Sequence, residues 1–175
     1  MHPYIHAKNT PDKAAFIMAS SGKITTYKEL DERSNQIAHL FRQRGLRAGD
    51  GISIFMENNS RFLEICWAAQ RSGLYFTPIS SRLTAGEVEY IHRDCNSKMI
   101  ISSSYLGQIA KDLVKITKNT PDHFMIDGVE EGWKSFEQEM EKMPKITIND
   151  EEMGQDMLYS SGTTGKPKGI RIPLK

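Results

Sequence analysis

The residues best suited to chemistry lie together in the run Tyr159-Ser160-Ser161-Gly162-Thr163-Thr164-Gly165-Lys166-Pro167-Lys168-Gly169-Ile170. Three glycines, four Ser/Thr hydroxyls and two lysines fall within these twelve residues. Glycine takes up positive φ and lets the backbone approach a ligand closely. Successive backbone N–H groups in such a turn make a concavity for anionic oxygens. Hydroxyls add donors, and a lysine ammonium is a compact charge suited to phosphate. A plain glycine-serine-threonine surface turn would account for an isolated Gly-Thr-Thr-Gly. It does not account for the whole run, which reads as a cradle for a polyphosphate.

The run is not the P-loop of the common nucleotide-binding fold. That loop has Gly, four residues and Gly-Lys-Ser/Thr, and it opens directly into a helix. Counting back from Gly165-Lys166, the first glycine would fall at Ser160, and Pro167 follows Lys166. The chain then continues as Gly169-Ile170-Arg171-Ile172-Pro173-Leu174, an alternation that predicts a strand. The loop is therefore expected to join two strands, and a P-loop phosphotransferase fails on both spacing and the missing helix.

The elements that must position this loop are legible upstream. Residues 14–18, a Ser20-Ser21-Gly22 turn and Ile24-Thr25-Thr26 predict a hairpin. Thr26-x-x-Glu29 and Thr84-x-x-Glu87 are capping boxes, each opening a helix. The first helix carries Leu30, Ile37, Ala38 and Phe41 on one face and stops at Gly45. Residues 51–56 predict a buried strand. Asn58-Asn59-Ser60 then offers caps for a helix with Phe62, Leu63, Ile65, Cys66 and Ala69 on its apolar face, Cys66 being a packed thiol. Residues 74–79 form the next strand, with Pro78 marking its end. Met99-Ile100-Ile101 and Phe124-Met125-Ile126 predict further strands, separated by a helix bearing Leu106, Ile109, Ala110, Leu113 and Val114. Residues 133–143 predict an amphipathic helix, and Asn149-Asp150-Glu151-Glu152 a solvated linker. This alternation argues for a layered α/β fold with a mainly parallel sheet. The five histidines form no ligand pair and are read as surface or satisfied residues.

Composition excludes more than it selects. A chain of 175 residues is about one domain. A formal charge of +1 gives no electrostatic case for nucleic acid or an anionic membrane. No apolar run is long enough to span a bilayer, and residues 1–7 lack the pattern of a signal peptide. Cys66 and Cys95 make no metal or redox spacing, which points to a reduced, cytoplasmic setting.

The run from Tyr159 to Gly169 resembles the signature loop of the AMP-forming adenylating enzymes, a group spanning acyl- and aryl-CoA synthetases, luciferases of the firefly type and peptide-synthetase adenylation domains. Its one departure is Ser160, where threonine is more usual. Thr26 to Leu30 and Arg71 to Ile91 resemble two further family motifs, so the resemblance covers essentially the whole chain. It implies the N-terminal portion of the large domain of such an enzyme, with the remainder of that domain and a C-terminal lid domain lying beyond residue 175. It also implies a reaction: ATP activates a small-molecule carboxylic acid as an acyl-adenylate, Mg²⁺ accompanies the nucleotide, and coenzyme A captures the acyl group. Ser160, Ser161, Gly162, Thr163, Thr164, Gly165 and Lys168 would bind ATP and the departing pyrophosphate. Lys166 would face solvent, and the loop is expected to be mobile without nucleotide. Ser80-Ser81-Arg82-Leu83-Thr84 is more similar to the acyl-CoA synthetase branch than to peptide-synthetase domains, which favours a fatty or related acyl acid. No catalytic or metal-ligating residue is assigned within the chain, and the segment alone is expected to be inactive. A stand-alone, non-catalytic nucleotide-binding or interaction module is the alternative, and no oligomeric state follows from the sequence.

Overall fold

The computed structural model describes residues 3–160 and 165–174. In chain order the elements are α1 (Pro3–Asn9), β1 (Ala14–Ile17), β2 (Ile24–Thr26), α2 (Tyr27–Gln43), β3 (Gly51–Met56), α3 (Arg61–Arg71), β4 (Tyr75–Ser80), α4 (Ala85–Asp94) and β5 (Ser97–Ser103). A 3₁₀ turn (Ser104–Leu106) leads into α5 (Gly107–Ile116), then β6 (Asp122–Ile126), β7 (Lys134–Ser135), α6 (Phe136–Glu141), β8 (Gln155–Asp156), β9 (Leu158–Ser160) and β10 (Lys168–Ile170).

Six strands form one sheet in the order β7-β6-β5-β3-β4-β8, and every pairing in it is parallel. Successive side chains of its central strands point to opposite faces, and each face has its own helical cover. Ile52, Ile54 and Met56 of β3, with Met99, Ile101, Phe124 and Ile126, pack against Ile37, Leu40 and Phe41 of α2, Ile65 and Ala68 of α3, and Phe136 and Met140 of α6. Phe55, Ile100 and Met125 face the other way, onto Val88 and Ile91 of α4 and Ala110 and Leu113 of α5. A buried side chain of this size contributes about 1.5–3 kcal/mol relative to exposure, so two dry layers hold the sheet. The layered α/β fold with a parallel sheet is thus observed.

The local signals hold. β1 and β2 form the antiparallel hairpin. Thr26 and Thr84 both make reciprocal capping boxes with Glu29 and Glu87. Gly45 and Gly73 close their helices at positive φ. Cys66 packs beside the first core, and burial pushes its thiol up to about 12, which makes it an inert thiol at neutral pH.

Three expectations are corrected. Leu63 is exposed, and the buried side of α3 instead includes Glu64 and Arg71. Glu64 accepts from Arg33 (3.0 Å) and Arg61 (2.9 Å), so its burial is compensated by paired charge. Pro78 lies inside β4. β8 pairs only with Tyr75 and Phe76, so the β4 edge beside Pro78 needs no donor from it. The helix expected over residues 133–143 is the short α6, capped by Ser135. Trp133 belongs to the opposite core, where its indole N–H donates to the Ala110 carbonyl at 3.2 Å, while Phe136 and Met140 pack under α2. One helix cannot serve both faces of a sheet.

The acidic stretch before β8 is solvent-exposed, as a solvated linker should be, but ion pairs tie it to the helices. Asp150 pairs with Arg42 at 2.8 Å, and Glu151 with buried Arg71 at 3.2 Å. Just upstream, Asn35, Gln36 and His39 of α2 bond the backbone carbonyls of Lys145, Met143 and Ile146. The connection is laced along the polar side of α2. It ends at Gly154, where a Cβ would lie 2.5 Å from the Ala69 and Leu74 carbonyl oxygens.

Candidate phosphate-binding hairpin

β9 and β10 pair antiparallel with Ser160 opposite Lys168, Tyr159 opposite Gly169 and Leu158 opposite Ile170. The loop therefore joins two strands, as the spacing predicts. The second strand is shorter than expected, ending at Ile170. Beyond it the backbone is fastened by side chains: the Tyr75 hydroxyl donates to the Ile172 carbonyl at 2.8 Å. The Arg171 guanidinium lies 4.1 Å from the Tyr75 ring centroid and donates to the Gly49 carbonyl at 3.1 Å.

Of the sequence-predicted site residues, Ser160, Gly165 and Lys168 are described, and the register sets Ser160 and Lys168 directly across from each other. Residues opposite in an antiparallel pair present their side chains on the same face. Lys168 is exposed and has no ion-pair partner among the described residues. Gly165 has φ of +137° with open space around it, a conformation that favours glycine. Ser161, Gly162, Thr163 and Thr164, and with them the expected mobility of the loop, lie outside the described residues. The described part suits an anionic ligand in that an exposed ammonium and a hydroxyl stand opposite each other across a short ribbon, with a positive-φ glycine three residues before the lysine.

The hairpin lies along α4. Near its base, the Tyr159 hydroxyl donates to Asp94 Oδ2 at 2.6 Å. Desolvation, followed by the Asp94 bond, raises the Tyr159 phenol above its ordinary range, so it stays a donor. Gly169 makes this packing possible, because a Cβ there would meet the Tyr159 ring at 2.8 Å. Towards the loop, Lys166 Nζ lies 4.9 Å from the Tyr90 ring centroid, and the Tyr90 hydroxyl donates to the Pro167 carbonyl at 3.4 Å. Lys166 is exposed, yet it rests on an aromatic face rather than extending freely into solvent. A cleft of about 490 Å³ is lined by Leu83, Tyr90 and Arg93 together with Gly165 and Lys166. Sequence reasoning gave Tyr90 and Asp94 no role. Their spacing of four on α4 puts a ring and a carboxylate on one helical face, and that was the available signal.

The two buried histidines are satisfied by hydroxyls. His92 bonds Ser53 Oγ at 2.9 Å and Thr120 Oγ1 at 2.7 Å, and His123 bonds Thr117 Oγ1 at 2.8 Å. Burial, then neighbouring His123, pushes His92 down to about 4. Among the described residues no group of three or more His, Cys, Asp or Glu could hold a metal ion. No helix of the described residues is long and apolar enough to cross a membrane.

A parallel six-stranded α/β sheet accompanied by a short antiparallel hairpin is a fold shared with the N-terminal part of solved CoA ligases. The family model for AMP-binding enzymes matches residues 4–174, and the chain belongs to that family. It is similar to the fatty acid–[acyl-carrier-protein] ligase ScoC of Streptomyces coeruleorubidus, 30% identical over 166 residues, covering 94% of this chain and 31% of ScoC. It is also similar to 4-hydroxybutyrate–CoA ligase 1 of Metallosphaera sedula, 29% identical over 175 residues, covering 95% of this chain and 30% of that protein. The solved structure of the anthranilate CoA ligase AuaEII in complex with anthranoyl-AMP superposes with a TM-score of 0.83 at 23% identity, over 96% of this chain and 33% of that one. The chain spans about a third of the length of these proteins.

Proposed function

We propose that this chain is the N-terminal portion of an AMP-forming carboxylate–CoA ligase and carries its polyphosphate grip. The observation that supports the reading best is the placement of unpaired Lys168 opposite Ser160, at the mouth of a loop whose sequence is rich in donors. In the proposed reaction the carboxylate of an acyl substrate attacks the α-phosphorus of ATP, the bond to the bridging oxygen breaks, and pyrophosphate leaves with the electron pair. Such chemistry asks the protein mainly for positioning and charge stabilisation. The hydroxyls of Ser160, Ser161, Thr163 and Thr164 and the N–H groups of Gly162 and Gly165 would hold the β- and γ-phosphates. Lys168 would offset charge on the leaving pyrophosphate. Mg²⁺, bound with the nucleotide, would supply further charge neutralisation, and none of these residues is assigned as its ligand.

The ScoC relative and the Ser80–Thr84 stretch support a fatty or related acyl substrate; coenzyme A as acceptor is supported by the Metallosphaera sedula relative, whereas ScoC is named for an acyl-carrier protein. The proposed setting is the cytoplasm. The rest of the adenylating apparatus is proposed to lie in further chain, which leaves this segment inactive alone. The test is carboxylate-dependent exchange of labelled pyrophosphate into ATP by the complete gene product, screened across carboxylic acids. Exchange with an acyl acid is the expected result; none with any acid overturns the reading. The mass of the gene product in its source cells separates the two remaining forms of the proposal. A mass well above 19.9 kDa is expected, and a mass near 19.9 kDa would favour a non-catalytic binding module.

A further inference from the structure

The β9–β10 ribbon is too slight to fix the loop by itself. It has three residue pairs, and its outermost apolar side chains, Leu158 and Ile170, are 51% and 58% exposed. An isolated two-stranded ribbon is marginal in water. Whatever fixes the geometry of the loop must therefore come from outside the ribbon, and α4 supplies contacts on both sides of the loop. On the entry strand, Tyr159 donates to the Asp94 carboxylate at 2.6 Å, a charge-assisted bond of the stronger kind. On the exit side, the Lys166 ammonium sits over the Tyr90 ring at 4.9 Å and the Tyr90 hydroxyl reaches the Pro167 carbonyl at 3.4 Å. Tyr90 and Asp94 lie one helical turn apart on the same face, so a single rigid helix addresses both ends of the loop. α4 is itself well anchored, by the Thr84–Glu87 capping box and by buried Val88 and Ile91.

We propose that Tyr90 and Asp94 are positioning residues for the phosphate loop, Asp94 holding its entry through Tyr159 and Tyr90 its exit through Lys166 and Pro167. This rests on the reading of residues 160–168 as a polyphosphate cradle and adds a helix-borne brace to it. Neither side chain needs to touch the ligand. Their effect is preorganisation: strands held in register at both ends of the cradle leave less freedom to be lost on binding an anion, and the affinity rises accordingly.

The experiment titrates tripolyphosphate into the 175-residue chain by calorimetry, at a temperature where circular dichroism shows every variant folded. Tyr159→Phe, Asp94→Ala and Tyr90→Leu are each expected to weaken binding about fivefold. The double variant Tyr159→Phe/Asp94→Ala should bind no more weakly than the worse single, because both changes remove one shared bond. Tyr90→Phe, which keeps the ring under Lys166, should stay within about twofold of the parent. Lys168→Ala, outside the brace, separates the two levels of the argument. If Lys168→Ala weakens binding while the three brace variants do not, the brace is overturned and the cradle stands. If the parent chain does not bind tripolyphosphate, or Lys168→Ala binds it unchanged, the cradle reading falls and takes the brace with it.

Discussion

Lys168 sits on a paired strand and Ser160 faces it across the ribbon. A cation held on a strand is placed more rigidly than one on a free loop, and electrostatic catalysis depends on such placement. Replacing Lys168 with alanine in the complete gene product should slow carboxylate-dependent pyrophosphate exchange about tenfold or more; an unchanged rate would remove the role assigned to it. The buried histidine gives a second prediction at this scale. His92 is held neutral, down to about 4, whereas in the unfolded chain it titrates near its ordinary 6.5. A depressed folded value means that the unfolded state takes up the proton first. The contribution is thus intact above pH 6.5 and is lost as pH falls from there towards 4, at roughly 1.4 kcal/mol per pH unit at most. Urea unfolding at pH 7 and pH 4.5 should show a larger loss in the parent than in His92→Gln. Equal losses would mean that His92 is not the group responsible.

At the scale of elements, what was legible in the sequence was local. Both capping boxes, the hairpin at residues 14–26 and the strand–loop–strand nature of the signature run depend on residues within a few positions of one another, and all are observed. What was not legible depends on partners far away in the chain. The expected solvated linker is pinned because Asp150 meets Arg42 and Glu151 meets Arg71, contacts that exist only once α2 and α3 have packed. Leu63, expected inside, is exposed while Glu64 is buried, and the reason is the same. Helical periodicity tolerates either side of α3 facing inward, and two arginines select the one that buries the carboxylate. Glu64→Ala should therefore destabilise the chain by about 3 kcal/mol, because Arg33 and Arg61 lose their common partner in a desolvated site. Chemical denaturation measures this, and a change under about 1 kcal/mol would show that water compensates the arginines. Gly169→Ala tests the hairpin in the same manner. Its Cβ would displace the Tyr159 ring, so the Tyr159 phenol should titrate at lower pH once freed from its buried bond to Asp94, as followed by ultraviolet absorbance. An unchanged titration would show that the ring accommodates the methyl in place.

At the scale of the whole molecule, a parallel sheet carries the hairpin at the flank of its β4 side. Two helical layers give it a core independent of the loop, which frees the loop sequence to serve a ligand rather than the fold. The candidate site was legible as chemistry from composition and spacing alone, but the contacts it makes with α4 were not. Tyr90 and Asp94 are ordinary exposed-face helix residues until β9 and β10 are laid beside α4. The central claim is that the hairpin end is where this chain meets phosphate. Backbone amide shifts of the labelled chain, followed by NMR during titration with tripolyphosphate, test that claim most directly. The account predicts that the largest shifts fall at Ser160, Gly165, Lys168 and the intervening residues, and that they vanish in Lys168→Ala. A second lysine-rich cleft, lined by Lys111, Lys115 and Lys118 of α5 and the turn after it, serves as the internal control. Shifts confined to that cleft, with the hairpin unmoved, would contradict the account.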